Sequence, residues 1–147
     1  MPTHVFHSAL ITLFVCCSIA SIGCGGYRTY PVQGTAKLKD GSDIARLAGH
    51  AVMFEATEAG PDGKVASATG EIGADGKFLL STNATNDGAY PGKYRVAVTA
   101  PDPPVDAPRP PAVIHLKYRF LLTSGLEATV EAKSTQTVTL ELDPPGK

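Results

Sequence analysis

Gly92-Lys93-Tyr94-Arg95-Val96-Ala97-Val98 is the stretch that decides the fold. Successive side chains of an extended chain point to opposite faces, so Tyr94, Val96 and Val98 share one side and Lys93 and Arg95 the other. The same period of two recurs in both directions. Upstream, Val32, Gly34, Ala36 and Leu38 form one face, with Gln33, Thr35, Lys37 and Lys39 opposite. Asp40-Gly41 then supplies a turn that tolerates positive φ. After a short loop around Ala45 to Gly49, Val52, Phe54 and Ala56 point inward, and Gly60-Pro61-Asp62-Gly63 turns the chain again. Lys64 to Ile72, built from small residues and Thr, reads as an edge strand. Ala74-Asp75-Gly76-Lys77 is the strongest hairpin turn and leads into Phe78 and Leu80 on a buried face; Asn83 to Pro91 is polar and loop-like. Downstream, Leu126, Ala128, Val130 and Ala132 form an inward face. Val138, Leu140 and Leu142 form the last one, before Pro144-Pro145 stops the strand. About seven strands, each apolar on one side, need a second apolar layer, and the expected fold is an all-β sandwich.

One segment breaks the pattern. Pro101, Pro103, Pro104, Pro108, Pro110 and Pro111 crowd eleven residues. Proline cannot donate to a sheet ladder, so this piece is expected to run over the surface as extended polyproline II. The apolar stretch that follows, Ile114 to Leu126, is read as crossing one sandwich end, with Tyr118, Phe120 and Leu122 plugging the core. The alternative is a recognition surface of prolines and aromatics. Its candidate residues are Pro103, Pro104, Pro110, Pro111, Tyr118 and Arg119, because contacts concentrate on loops held by a rigid scaffold.

The chain opens on an apolar run from about Ala9 to Ile22, the size of a signal h-region and too short for the roughly 20 residues of a membrane-spanning helix. Ser21-Ile22-Gly23-Cys24 closes it. A small residue before cysteine, after such a run, looks like a bacterial lipobox. There the Gly23–Cys24 bond is cut and Cys24 takes a diacylglyceryl group and, as a palmitate-type lipoprotein, further acyl chain. Residue 21 is Ser where a larger aliphatic is usual, and the n-region carries His4 and His7 in place of Lys or Arg. Cleavage after Ala20 and an uncleaved anchor are the rival readings. The cysteine count favours lipidation: Cys16 and Cys17 lie in the h-region, which leaves Cys24 alone, without a disulfide partner or a cysteine metal site. Two or more acyl chains hold stably, at about 0.8 kcal/mol per buried methylene.

These readings divide the chain into a signal peptide (1–23), a lipidated linker (24–30), a sandwich domain (31–143) and a short tail (144–147). The mature portion, about 124 residues, is the size of one domain and needs no disulfides to bury a core. The net charge of −1 gives no basic field for nucleic acid or anionic lipid.

Taken in order, PVQGTAKLKDG, AVMFEA, GEIGADGKFLLST, GAYPGKYRVAVTA and KYRFLLTSGLEATVEA resemble small bacterial lipoproteins with a carboxypeptidase-regulatory-like, transthyretin-like domain, numerous in planctomycete-type bacteria. The resemblance covers nearly all of residues 24–143. It implies a single seven-stranded Greek-key β-sandwich with no catalytic site. KYRFLLTSGL departs from the more polar, often acidic residues that the family carries after the Lys-Tyr pair. Sandwiches with internal isopeptide bonds need an Asn on the terminal strand, and here Asn83 and Asn86 lie mid-chain. Transthyretin-like ureide hydrolases use clustered histidines and a C-terminal Tyr-Arg-Gly-Ser, whereas this chain ends Leu142-Asp143-Pro144-Pro145-Gly146-Lys147.

Beyond the signal there are two isolated histidines, His50 and His115, and no zincin, nucleophile-elbow, phosphate-loop or dinucleotide motif. Asp62-Gly63 and Asp75-Gly76 read as turns, since a calcium loop needs more oxygen ligands at fixed spacing. The expectation is a monomeric, non-enzymatic cell-envelope lipoprotein with no cofactor or metal. Its membrane partner is reached through Cys24, and its role is structural or one of contact with an envelope protein or glycan. Gly25 lacks the Asp-type retention signal, which tilts the address toward an outer membrane. The rival function is a small-ligand or carbohydrate binder using a pocket at the sandwich end; an exposed concave aromatic cluster would favour it, and a flat proline-rimmed surface would favour protein contact.

Overall fold

The computed structural model describes residues 27–146; Gly23, Cys24 and the signal region lie outside them. Seven strands form among the described residues: β1 (Val32–Leu38), β2 (Ala51–Ala59), β3 (Val65–Glu71), β4 (Lys77–Leu79), β5 (Gly92–Thr99), β6 (Leu126–Val130) and β7 (Gln136–Leu142). They make two sheets, ordered β4-β1-β7 and β3-β2-β5-β6, and the protein is all-β with its core between them. Every neighbouring pair is antiparallel except β1 and β7, which run parallel from Val32↔Gln136 to Leu38↔Leu142.

Alternation determines what is buried. In β1, Val32, Gly34, Ala36 and Leu38 face the core while Gln33 and Lys37 are exposed. Val52, Phe54, Tyr94, Val96 and Val98 are buried along the facing sheet. Phe54 is the hub, its ring 6.3 Å from that of Phe78 and 6.0 Å from that of Tyr94 in tilted contacts. The Tyr94 hydroxyl escapes burial without a partner by donating to the Tyr90 carbonyl at 2.8 Å, as a buried phenol must. β3 lies at a sheet edge, where its small residues suit it.

Four local expectations differ from what forms. The turn at Ala74–Lys77 joins strands of different sheets: it closes through Gly76 N–H to the Gly73 carbonyl, and β3 and β4 form no ladder, pairing through the isolated Thr69↔Ser81 bridge. β6 ends at Val130, which leaves Ala132 exposed in the following turn. Ala97, on the outer face of β5, is buried, because helical turns lie against β5 where it extends beyond β6. Phe120 and Leu122 do not plug the core: they are 64% and 83% exposed. The segment Leu116–Arg119 is a 3₁₀ turn and Leu121–Ser124 a short helix, α1. Ile114, Tyr118 and Ser124 are the residues buried here instead. Gly125, left-handed at φ 68°, terminates α1 and releases the chain into β6.

The two ends of the sandwich differ. One holds Tyr27–Tyr30: the Tyr27 ring stacks on Tyr90 at 4.0 Å, and Tyr30 exchanges backbone hydrogen bonds with Ala89. The opposite end gathers the β1–β2 connection, the Gly73–Gly76 turn and the long β5–β6 connection of residues 100–125. The seven residues of β1 separate the ends by roughly 20 Å.

Candidate functional site

At the end away from Tyr27, the β5–β6 connection folds over the sandwich and leaves a cleft of about 280 Å³. Its inner wall comes from residues at strand ends: His50 just before β2, and Val98 and Ala100 at the end of β5. Pro101, Pro110 and Pro111 form the rim, and Val113, Ile114 and Leu116 complete the apolar lining. Arg46, Arg109 and Arg119 also line it, with no carboxylate among the lining residues.

Each charged group is positioned by local structure. Arg46 sits on the 3₁₀ turn Ile44–Leu47, opened by the Asp43 carboxylate accepting from Ala45 N–H at 2.9 Å. Arg119 ends the second 3₁₀ turn, where His115 Nδ1 accepts from Lys117 N–H at 3.1 Å. Among the described residues none of Arg46, Arg109 and Arg119 forms an ion pair or a side-chain hydrogen bond. His50 is 4% exposed, and its Nδ1 has no hydrogen-bond partner. Burial pushes the His50 pKa down, outweighing the nearby Leu47 and Ala48 carbonyls, so the ring is neutral near pH 7.

Asp143 clamps the floor of this end. Its carboxylate receives Lys117 Nζ at 2.6 Å and the Tyr118 hydroxyl at 2.7 Å, and pairs with Lys39 Nζ at 2.8 Å. Its own N–H donates to the Tyr118 oxygen at 3.0 Å, and its carbonyl accepts from His115 N–H at 3.0 Å. The lysines and the phenol hold the Asp143 carboxyl well below the usual carboxylate range, Lys117 contributing most. The β5–β6 connection is thereby tied to the end of β7.

The candidate residues of the sequence separate accordingly. Pro110, Pro111 and Arg119 line the cleft. Pro103 and Pro104 belong to the same connection farther out, half-buried and exposed, and do not line it. Tyr118 is buried, serving the clamp. Nor is the proline segment one extended run: it folds back where Ala107 N–H donates to the Pro104 carbonyl at 3.0 Å, with Asp106 at φ 71°. Sequence reasoning missed Arg46, Arg109, His50 and His115 as neighbours, since they lie on two connections far apart in the chain, β1–β2 and β5–β6. The arrangement is proline-rimmed yet concave, without an aromatic cluster.

Two further clefts are present, one along the β3–β4 edge lined by Thr69, Phe78 and Leu79, the other beside Tyr27, Pro61 and Lys93. Neither combines unpaired cations with a buried unpartnered group. Among the described residues no helix is long and apolar enough to cross a membrane, and no group of three or more His, Cys, Asp or Glu gathers. Comparison with known protein families, with characterised proteins and with solved structures gives no match.

Proposed function

We propose that this chain is a lipid-anchored cell-envelope protein of the carboxypeptidase-regulatory-like, transthyretin-like type. Its Greek-key sandwich performs no chemistry and presents a recognition surface for an envelope protein. The observation that carries the reading is polarity of the fold. Tyr27, three residues after Cys24, is stacked on Tyr90 at one end, while the proline-rimmed cleft opens at the other. With Cys24 acylated, Gly25 and Gly26 alone separate the membrane from the docked Tyr27. The cleft then faces away from the bilayer, where a partner can reach it. The strand orders β4-β1-β7 and β3-β2-β5-β6, with β1 and β7 parallel, support the fold type.

The test has two arms. Intact mass of the native protein should give a diacylated or triacylated chain beginning at Cys24; a soluble chain beginning at Ser21 defeats the anchor. Crosslinking in native cells should capture a partner that is lost when Pro103, Pro104, Pro110 and Pro111 are replaced by Ser with melting nearly unchanged. Capture at full strength by that variant makes the connection a spacer.

A further inference from the structure

The cleft has the chemistry of a specific ligand class. Three arginines line it, Arg46 from the β1–β2 connection and Arg109 and Arg119 from the β5–β6 connection, and among the described residues none of them forms an ion pair. A planar guanidinium fork matches a carboxylate in two parallel hydrogen bonds. The cavity is small, about 280 Å³, and apart from the arginines, His50 and His115 its lining is apolar, with Val98, Ala100, Val113 and the prolines. A large or polyanionic ligand fits such a space poorly, and a single carboxylate on a short apolar stem fits well. His50, 96% buried in the inner wall, keeps an unpartnered Nδ1, whereas buried polar atoms are nearly always satisfied.

The backbone adds a second element. Among the described residues, the N–H groups of Ala112 and Val113 donate to no carbonyl or side-chain acceptor. They lie beside the cleft in irregular chain, free to pair with an extended peptide. We infer that the cleft binds the C-terminal end of a partner chain: the terminal carboxylate between Arg109, Arg119 and Arg46, the last apolar side chain against Val98 and Val113, and its main chain along Ala112–Val113. This rests on reading the cleft as the recognition site, and names what it recognises.

The test is isothermal titration of the full acylated chain in non-ionic detergent with three probes: acetyl-Ala-Val bearing a free carboxylate, the same dipeptide as its amide, and inorganic phosphate. The acid should bind at least tenfold tighter than either of the others. Arg109→Gln and Arg119→Gln should each weaken the acid about tenfold, as loss of a charge-assisted hydrogen bond does, with melting unchanged because both side chains are exposed. Arg119→Lys, which keeps charge without the fork, should recover part of the loss. Equal binding of acid and amide, phosphate binding as tight as the acid, no saturable binding of the acid, or full affinity in both Gln variants overturns the inference. The proline-to-serine capture experiment separates the two readings. If serine substitution abolishes partner capture while the arginine variants capture at full strength, the recognition surface stands and the carboxylate site falls.

Discussion

Gly34→Ala should destabilise this protein although alanine is the better strand residue. Glycine inside a strand costs about 0.5–1 kcal/mol relative to alanine, so at an open position the change would stabilise. Gly34 is not open. It pairs with Phe78 on β4 and Val138 on β7, and a Cβ placed on it would lie 1.9, 2.1 and 2.3 Å from three atoms of the Phe78 ring. Carbon contacts settle at about 3.5–4.0 Å, so the ring must retreat by about 1.5 Å. Phe78 is 2% exposed and already packed on Phe54, which leaves it little room to move. Overpacking of this kind costs ~1–3 kcal/mol, and expelling the ring would approach the ~3–5 kcal/mol of a Phe truncation. The net expectation is a loss of about 1–3 kcal/mol. In a Phe78→Leu background the clashing ring atoms are absent, and Gly34→Ala should stabilise by about 0.5–1 kcal/mol, a coupling of about 1.5 kcal/mol or more. Urea unfolding of soluble residues 25–147, followed by circular dichroism because the chain has no Trp, measures all four corners of the cycle. A stabilising Gly34→Ala, or the same cost in both backgrounds, would refute the close packing of Phe78 over β1.

Val96→Asp buries an unpaired carboxylate at 0% exposure and should cost several kcal/mol. Arg95→Thr, exposed on the other face, should cost about 0.5 kcal/mol or less, and comparable losses in thermal melts would disprove the register of β5. Because the folded-state pKa of Asp143 is depressed, its stabilisation is present above the unfolded value of about 3.9 and is lost as pH falls below it. Melting temperature should therefore drop less steeply below pH 4 in Asp143→Asn than in the wild type, and parallel acid profiles would contradict the clamp. Burial raises the Tyr94 pKa to about 12, so that contribution is intact below the unfolded value of about 10 and is lost as pH rises through about 12. Phenolate absorbance should show a late-ionising tyrosine that disappears in Tyr94→Phe. Phe120→Ser and Leu122→Ser should each change stability by about 0.5 kcal/mol or less, whereas Tyr118→Ala, which empties a buried site and opens the clamp, should cost ~3–5 kcal/mol.

The sheets were legible because a half-buried strand leaves a signature of period two that survives without any knowledge of its partners. Val32 to Leu38 carry it undisturbed, and Tyr94 to Val98 carry it with Ala97 as the one exception. The assignment of strands to sheets was not legible at Ala74–Lys77, since a turn closes locally and carries no information on whether its arms stay paired. Residues 114–125 misled for a different reason. Tyr118, Phe120 and Leu122 alternate in type, yet His115 caps a 3₁₀ turn and Gly125 ends α1, and the local capping chemistry prevails over alternation where no ladder is available. Leu121-Leu122-Thr123-Ser124-Gly125 contained the readable clue, a glycine placed to stop a helix. The cleft was half visible: its prolines stand out in composition, but Arg46, His50 and Arg119 meet only through the β1–β2 and β5–β6 connections, and spacing along the chain does not encode such a meeting.

Photocrosslinking from two opposite positions tests the polarity of the molecule most directly. Val105 is 92% exposed on the proline-rich connection, and Lys133 lies in the β6–β7 turn at the end that carries Tyr27. With a photoreactive residue at either position in native cells, Val105 is predicted to capture a discrete protein and Lys133 to capture lipid. Lipid captured from Val105, or the same products from both positions, would contradict a molecule anchored at one end and recognising a partner at the other.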